Sequence, residues 1–259
     1  MAKKKFMTFQ IINSLQNPLI KHLTKLNRDR KYREISQTVI IEGEILIKEL
    51  CQNMSCKTIV CTNQSLIPKE IQANNIFIVN EDILKKISGT LNPEGILAEV
   101  SLPIQDTLEK KTHLIALDGI QDPGNLGTIL RTALALGWDG AFLLNGCCDP
   151  WNDKAVRSAK GATFKLPLRS GSWEELSMLI KKNKLIPLAA DMCGDPIETY
   201  QNEKNILLIL GNESKGLSAE TLKHCKKVSI PIENQMESLN VSVAGGILMY
   251  NLKRSSYGK

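Results

Sequence analysis

The sequence predicts an α/β protein in two parts, a small N-terminal α/β unit and a larger C-terminal unit built on a parallel sheet. Apolar, β-branched runs alternate with amphipathic helical segments, which is typical of parallel sheets covered by helices on both faces. A polar segment of mixed charge, residues 101–111, separates two such series. In the second series, two buried-strand patterns lead into polar loops, at residues 211–216 and 233–238. Loops of this kind, at the ends of neighbouring parallel strands, are where open α/β sheets bind ligands.

Composition places the chain among globular proteins. Its 259 residues are 42% hydrophobic and 23% charged, which is enough to bury a core. No apolar run is long enough to cross a bilayer, and the first residues lack the apolar region of a signal peptide. We therefore expect a cytoplasmic protein.

Cysteine and histidine usage argues against disulfides and metals. There are seven cysteines and no Cys-x-x-Cys pair, which indicates reduced thiols buried as small apolar residues. The three histidines do not lie at ligand spacing from one another, so we expect no metal site.

The net charge of +6 is concentrated near the N-terminus, where acidic residues are few. A basic arm of this kind is typical of a nucleic-acid-binding surface, although a solvated helix face would look the same. The candidate RNA-binding residues are Lys21, Arg28, Arg30, Lys31 and Arg33, with Lys154, Arg157 and Lys160 on a later segment.

The first unit, residues 1–105, has a helical pattern followed by four strand patterns. We predict one helix over residues 10–35, where leucines recur at helical spacing. Strands are predicted at 38–43, 57–62, 76–79 and 95–100, and helices at 44–52 and 80–87, the latter capped by Asn80.

The second unit, residues 112–259, continues the alternation. Strands are predicted at 114–117, 140–144, 185–190, 206–210 and 228–232. A loop at 118–127 leads to a helix at 128–137, a basic helix is predicted at 152–161, and residues 238–242 begin a last, apolar helix.

Arg131 is out of place among the apolar residues of the helix predicted at 128–137. A guanidinium there can pair with an acid or an anionic ligand, and Glu213 in the loop after residue 210 is the best candidate partner. A surface arginine lying along the helix is the alternative.

Three segments together resemble the SpoU (TrmH-like) branch of the SPOUT RNA ribose methyltransferases. They are residues 118–133 (DGIQDPGNLGTILRTA), 210–217 (LGNESKGL) and 230–232 with 237–244 (IPI and ESLNVSVA). Each is modest alone, but their order and spacing are specific. The N-terminal unit resembles the ribosomal-protein-like RNA-binding domain that many members carry.

This resemblance implies that the parallel sheet of the C-terminal unit ends in a trefoil knot, a rare exception to unknotted topology. It also implies S-adenosylmethionine as methyl donor, a ribose 2′-hydroxyl of RNA as acceptor and a homodimer. The ribosomal-protein-like domain favours ribosomal RNA over transfer RNA. Methyl transfer from a sulfonium needs no metal.

The resemblance also assigns residues. Those matching the catalytic positions are Asn125, Arg131, Glu213, Ser238 and Asn240. Those matching the cofactor cradle are Leu210, Gly211, Gly216, Ile230, Ile232, Leu239, Asn240 and Ala244. We expect Arg131 to stabilise the developing alkoxide and Glu213 to orient Arg131. Asn212, Ser214 and Lys215 depart from many relatives, and we expect little consequence from these differences.

Other functions fit the sequence less well. A catalytically silent RNA-binding or ribosome assembly protein could keep this fold, but it would not need Arg131, Glu213 and Asn240 together. A nicotinamide-dependent oxidoreductase would be expected to carry Gly-x-Gly-x-x-Gly, which is missing.

Overall fold

The structure is a computed structural model that describes residues 9–69, 71–233 and 238–253. The described chain divides into two compact units. The first comprises residues up to Pro103 together with Trp151–Arg157, and the second comprises Ile104–Pro150 and the residues from Ser158 onward.

The first unit is built on a five-stranded mixed sheet with strand order β1-β4-β3-β5-β2. Strands β1, β4 and β3 are parallel, whereas β5 runs antiparallel to both β3 and β2. Its elements are β1 (Phe9–Ile12), α1 (Pro18–Arg28), α2 (Arg30–Ser36), β2 (Thr38–Glu42), α3 (Glu44–Cys51), β3 (Cys56–Cys61), β4 (Ala73–Val79), α4 (Glu81–Ser88) and β5 (Ile96–Ser101).

The prediction of one helix over residues 10–35 is wrong. The segment starts as strand β1, which pairs with β4, and α1 begins only after Asn17, whose side chain accepts a hydrogen bond from the Leu19 amide at 2.9 Å. Asp29 then interrupts the helix in an extended conformation, and its carboxylate caps α2 through the Tyr32 amide at 3.0 Å. Local capping therefore outweighs the continuous leucine spacing.

The second unit is built on a six-stranded sheet in the order β11-β9-β10-β6-β7-β8, and every pairing in it is parallel. This confirms the predicted α/β class with a parallel C-terminal sheet. The elements from residue 113 onward are β6 (His113–Asp118), α5 (Pro123–Ala135), β7 (Gly140–Leu144), α6 (Asp153–Ala159), α7 (Ala162–Lys165), β8 (Leu168–Gly171), α8 (Trp173–Asn183), β9 (Ile186–Pro196), β10 (Ile206–Gly211), α9 (Ala219–His224), β11 (Lys226–Ser229) and α10 (Val241–Lys253). Most of α6 belongs to the first unit.

Helix α5 begins five residues before its predicted start. The Asp122 carboxylate accepts a hydrogen bond from the Asn125 amide at 2.9 Å, and Pro123 occupies the first helical turn. Asp followed by Pro is a strong helix start, so the predicted loop ends at Asp122. Asn125 consequently lies on a helix, whose backbone holds its side chain more firmly than a loop could.

The sheet register brings two loops side by side. Strand β10 pairs with β6 so that Gly211 lies opposite Asp118. The chains leaving these strands therefore begin at neighbouring points of one sheet edge, which is where parallel sheets bind ligands.

Within the part of the chain that the structure describes, no helix is both long and apolar enough to cross a membrane.

Candidate active site

A cavity of about 470 Å³ lies in the second unit, at the ends of β10 and β11 and beside the middle of β9. This volume falls in the range of small-molecule sites. All eight predicted cofactor residues line it: Leu210, Gly211, Gly216, Ile230, Ile232, Leu239, Asn240 and Ala244. Sequence reasoning missed a further wall, residues 190–192 of β9. The signal was present, because Asp191 directly follows the strand predicted at 185–190.

The cavity lining is shaped by a close approach of two backbone segments. A Cβ placed on Gly211 would lie 2.8 Å from the carbonyl carbon and oxygen of Gly216 and 2.9 Å from the Leu217 nitrogen. Only glycine fits there without a shift of the backbone. The loop is closed by reciprocal hydrogen bonds between Asn212 and Gly216, at 2.9 and 3.0 Å. This closure brings the two ends of the loop together at the cavity wall.

Glu213 is the centre of a hydrogen-bond network beside this cavity. Its carboxylate accepts from the Asn125 side-chain amide at 3.0 Å and from the backbone amides of Gln121 and Asp122, both at 3.3 Å. The Asn125 side-chain oxygen in turn accepts from the Asn240 Nδ2 at 3.1 Å. Three predicted site residues from three separate sequence segments therefore meet in one network.

These contacts set the ionisation of Glu213. Partial desolvation raises its pKa, but the hydrogen bonds from Asn125 and from nearby backbone amides lower it more, so the pKa of Glu213 lies below its ordinary value. The group is a carboxylate at neutral pH and acts as an acceptor, not as a general acid.

The expected pairing of Arg131 with Glu213 is wrong. Arg131 is exposed on α5 and makes no hydrogen bond or ion pair with any residue that the structure describes. It lies six residues beyond Asn125, about 9 Å farther along the helix axis, and Glu213 is already occupied by the turn at the start of α5. The guanidinium of Arg131 is thus left available to a ligand.

Asn240 both caps a helix and belongs to the site. Its Oδ1 accepts from the amides of Ser242 at 2.9 Å and Val243 at 3.4 Å, while its Nδ2 reaches Asn125. Helix α10 begins at Val241, so Ser238 precedes the helix and is exposed at the cavity wall. The capping and ligand-binding interpretations of Asn240 are therefore compatible.

Asp118, at the end of β6, stabilises the chain that follows the loop at 211–216. Sequence reasoning did not identify this residue. It is buried, and one carboxylate oxygen accepts from the Ser218 amide at 2.8 Å and from the Thr221 hydroxyl at 2.7 Å. It thereby anchors the segment between the loop at 211–216 and α9.

The cysteines near the site are not nucleophiles at neutral pH. Burial is the main cause that raises the pKa of Cys147 to about 11 and that of Cys148 to about 12. Both groups are therefore neutral thiols, and all seven cysteines are free. Among the described residues, no cluster of three His, Cys, Asp or Glu side chains is arranged to hold a metal ion.

The candidate RNA-binding residues differ in exposure and in whether their charge forms an ion pair within the protein. Lys21, Arg28, Arg30, Lys31, Lys154 and Lys160 are exposed. Arg30 and Arg157 form ion pairs within their helices, with Glu34 at 2.9 Å and Asp153 at 2.8 Å.

The prediction that Arg33 binds RNA is wrong. It is 3% exposed, and its guanidinium donates to the carbonyl oxygens of Leu26 at 2.6 Å and Asn27 at 2.9 Å. These carbonyls belong to the last turn of α1, where a cation is favoured by the helix dipole. Arg33 joins α2 to α1 and cannot reach RNA.

A basic cleft of about 280 Å³ lies in the first unit. Lys21, Lys25 and Arg28 recur at helical spacing along α1, and Lys86 of α4 faces them. Leu15 and Thr24 complete the lining, which contains no acidic side chain. Four cations around one cleft repel one another, and a polyanion would relieve that repulsion.

Comparison with known proteins gives matches along most of the chain. Residues 112–250 match the SpoU rRNA Methylase family, and residues 17–98 match the MRM3-like substrate binding domain. The chain is 32% identical to a 23S rRNA (guanosine(2553)-2'-O)-methyltransferase of Bacillus subtilis over 93% of this chain and 98% of that protein.

Solved structures share the architecture. An AdoMet-bound rRNA methyltransferase from Sinorhizobium meliloti superposes with a TM-score of 0.85 at 26% identity, covering 95% of this chain and 98% of the other. The SpoU methyltransferase AviRb from Streptomyces viridochromogenes gives a TM-score of 0.81 at 25% identity, covering 93% and 98%. Two of the three sequence segments line one cavity, and the first adjoins it through the hydrogen bonds of Asn125. Since the family match covers more than half of its length, this chain belongs to the SpoU rRNA methylase family.

Proposed function

We propose that this protein transfers a methyl group from S-adenosylmethionine to a ribose 2′-hydroxyl of RNA, with ribosomal RNA as its substrate. The observation that carries the proposal is the meeting of all eight predicted cofactor residues around one cavity, directly beside the Asn125–Glu213–Asn240 network. Membership of the SpoU family and similarity to rRNA methyltransferases support it.

The cavity fits the proposed cofactor. Its volume suits a nucleoside with an amino-acid arm. The described lining includes two carboxylates, Asp191 and Glu213, and no Lys, Arg or His, which favours a ligand bearing a sulfonium and an ammonium group. Leu210, Ile230 and Leu239 offer apolar contacts, and Gly211 lets the loop close tightly against Gly216 at the cavity wall. When bound, S-adenosylmethionine supplies an electrophilic methyl group.

The residues of the chain then have to position and activate a weakly acidic hydroxyl. Arg131, exposed and without a partner in the described chain, stabilises the alkoxide that develops as the hydroxyl proton passes to water, because a guanidinium stays protonated at useful pH. Glu213 holds the Asn125 amide and the turn at 121–122. Asn125, Asn240 and Ser238 orient the ribose and its phosphate by neutral hydrogen bonds.

RNA binding falls to residues 1–105 as the substrate-binding domain, ahead of the catalytic domain, residues 112–259. The basic cleft supports this division, since Lys21, Lys25, Arg28 and Lys86 surround it without an acid. Neutralising two of these cations with Lys21→Gln and Arg28→Gln lowers the slope of log affinity against log salt by about 1.5 to 2. An unchanged slope contradicts the assignment.

The protein acts as a homodimer in this proposal. Val243, Ile247 and Tyr250 form an apolar stripe along one face of α10 and are 52%, 37% and 50% exposed. A second copy of the same stripe would cover it in a two-fold contact. Ile247→Glu then yields a monomer in analytical ultracentrifugation, and a persistent dimer places the interface elsewhere.

Two further features belong to the same proposal. The C-terminal chain threads into the trefoil knot expected of the family, with α10 folding back against α5. The protein works in the cytoplasm, a reducing compartment that suits seven free cysteines.

The decisive experiment incubates the protein with tritiated S-adenosylmethionine and unmodified 23S rRNA transcribed in vitro, with bulk transfer RNA in a parallel reaction. We expect label in the 23S transcript as a 2′-O-methylnucleoside after digestion. Label in transfer RNA alone would change the substrate, and label in neither, with cofactor bound, would favour a silent RNA-binding protein.

Arg131→Ala is the companion variant. It lowers the single-turnover rate by at least about 100-fold, the usual effect of removing an oxyanion-stabilising donor, and leaves cofactor affinity within about twofold. Equal loss of rate and affinity makes Arg131 a cofactor-binding residue instead.

A further inference from the structure

We propose that Asn212 is a positioning residue whose side chain couples the cofactor loop, residues 211–217, to the catalytic turn, residues 119–122. One end of its carboxamide shapes the first loop and the other end holds the second. The inference rests on the proposed function, because it assumes that residues 211–217 bind the cofactor and that residues 119–122 keep Glu213 aligned for catalysis. By sequence, Asn212 was a departure expected to have little consequence.

The oxygen of the carboxamide organises the cofactor loop. Oδ1 accepts hydrogen bonds from the amides of Ser214 at 2.9 Å and Lys215 at 2.8 Å. The Asn212 backbone closes the same loop through its two bonds with Gly216. An asparagine that bonds amides two and three residues ahead forms an Asx turn, which stabilises a tight loop locally.

The nitrogen of the carboxamide reaches across to the other loop. Nδ2 donates to the Gly119 carbonyl oxygen at 2.7 Å, over 93 positions of sequence. Gly119 has a φ of +74°, so the chain turns sharply there before residues 120–122. Asn212 therefore fixes the first residue of the catalytic turn, Gly119, whose backbone is in the left-handed conformation.

Glu213 holds the far end of the same turn. The amides of Gln121 and Asp122 donate to its carboxylate at 3.3 Å, longer than the usual 2.9–3.0 Å. Bonds of this length break after a small displacement. The short bond from Asn212 to Gly119 keeps residues 119–122 within reach, and with them the start of α5 that carries Asn125.

Asparagine suits this role because it combines an acceptor and a donor on a short side chain. Serine is neutral and its hydroxyl can form a similar local turn, but it is too short to bridge to Gly119. Alanine can do neither. The pair Asn212→Ser and Asn212→Ala thus separates the two halves of the proposed role without adding a charge beside Glu213.

Three measurements test the proposal: S-adenosylmethionine affinity by calorimetry, single-turnover methylation of 23S rRNA transcribed in vitro, and the Glu213 titration followed by carboxyl ¹³C NMR. For Asn212→Ser we expect affinity within about threefold of wild type and a rate at least about tenfold lower. The pKa of Glu213 should move upward as its amide donors drift away. For Asn212→Ala, affinity falls about tenfold as well.

Lys223→Gln on α9 is the control, since Lys223 is exposed, lies outside both segments and forms no side-chain hydrogen bond or ion pair in the described chain. It should leave cofactor affinity and the Glu213 titration unchanged.

Two outcomes overturn the proposal. In one, Asn212→Ser keeps the wild-type rate and Glu213 titration; in the other, it loses as much cofactor affinity as Asn212→Ala. The NMR titration needs no turnover, so it decides the positioning role even if wild-type protein methylates no RNA. That last result would refute the proposed function separately.

Discussion

Gly211→Ala is the sharpest test of the cofactor cavity. The added Cβ would lie 2.8 Å from two backbone atoms of Gly216 and 2.9 Å from the Leu217 nitrogen. Carbon contacts are most favourable at about 3.5–4.0 Å, so the loop must move by roughly 0.7 Å. Because the obstructing atoms are backbone and are held by the Asn212–Gly216 hydrogen bonds, no side chain can swing away to make room.

The cost follows from known overpacking effects. Inserting a methyl group into a packed site typically costs about 1–3 kcal/mol. If the loop opens to accommodate it, that cost appears as lost cofactor affinity. At about 1.4 kcal/mol per tenfold, S-adenosylmethionine should bind about 5- to 150-fold more weakly. Calorimetric titration measures this directly, and thermal unfolding without ligand reports any loss of fold stability.

Gly246→Ala is the matched control on α10. Its Cβ would lie 3.6 Å from the Thr132 Cγ2, an ordinary contact, and alanine in a helix interior is favoured over glycine by about 0.5–1 kcal/mol. This variant should bind the cofactor normally and unfold at an equal or higher temperature. Wild-type affinity in Gly211→Ala would refute the close-approach argument.

Three further predictions concern ionisable groups. Arg33→Met should destabilise the protein by about 1–3 kcal/mol in denaturant unfolding, because carbonyls at the end of α1 lose their donor, while the salt slope of RNA binding stays unchanged. The folded-state pKa of Glu213 is depressed, so its contribution to stability is complete above the unfolded pKa of about 4.3. That contribution is lost as pH falls through the folded-state pKa. The difference in unfolding free energy between wild type and Glu213→Gln should therefore become smaller in acid, and a difference that does not change with pH contradicts this. Exposed Cys193 should react with iodoacetamide at pH 8 well before Cys147, whose pKa burial raises to about 11; mass spectrometry of the labelled peptides would reveal the opposite order.

Local patterns were sufficient for the parallel sheet, whereas the proposed cofactor residues came from the resemblance to the SpoU family. The apolar run at residues 206–210 has the composition of a buried strand in a parallel sheet, so its strand identity could be predicted. Its position between β9 and β6 came from the structure. The polar loop after residue 210 could be assigned to a ligand site, since parallel strands end at one edge.

Partner choice among long polar side chains needed the tertiary structure. Arg131 and Glu213 looked like a pair, but the start of α5 brings Asn125 and two amides to Glu213 first. Arg33 resembled its exposed neighbours Arg30 and Lys31, yet the break at Asp29 turns it inward onto α1.

Asn212 is a further case, in which the sequence predicted little consequence and the structure shows a specific hydrogen-bond partner. Its bond to Gly119 joins residues 93 positions apart, and only the register between β6 and β10 places them together. Burial and periodicity are properties of a short window of sequence and can be recognised there. Hydrogen-bond partners are chosen by distance and angle between side chains that only the assembled sheet brings within reach.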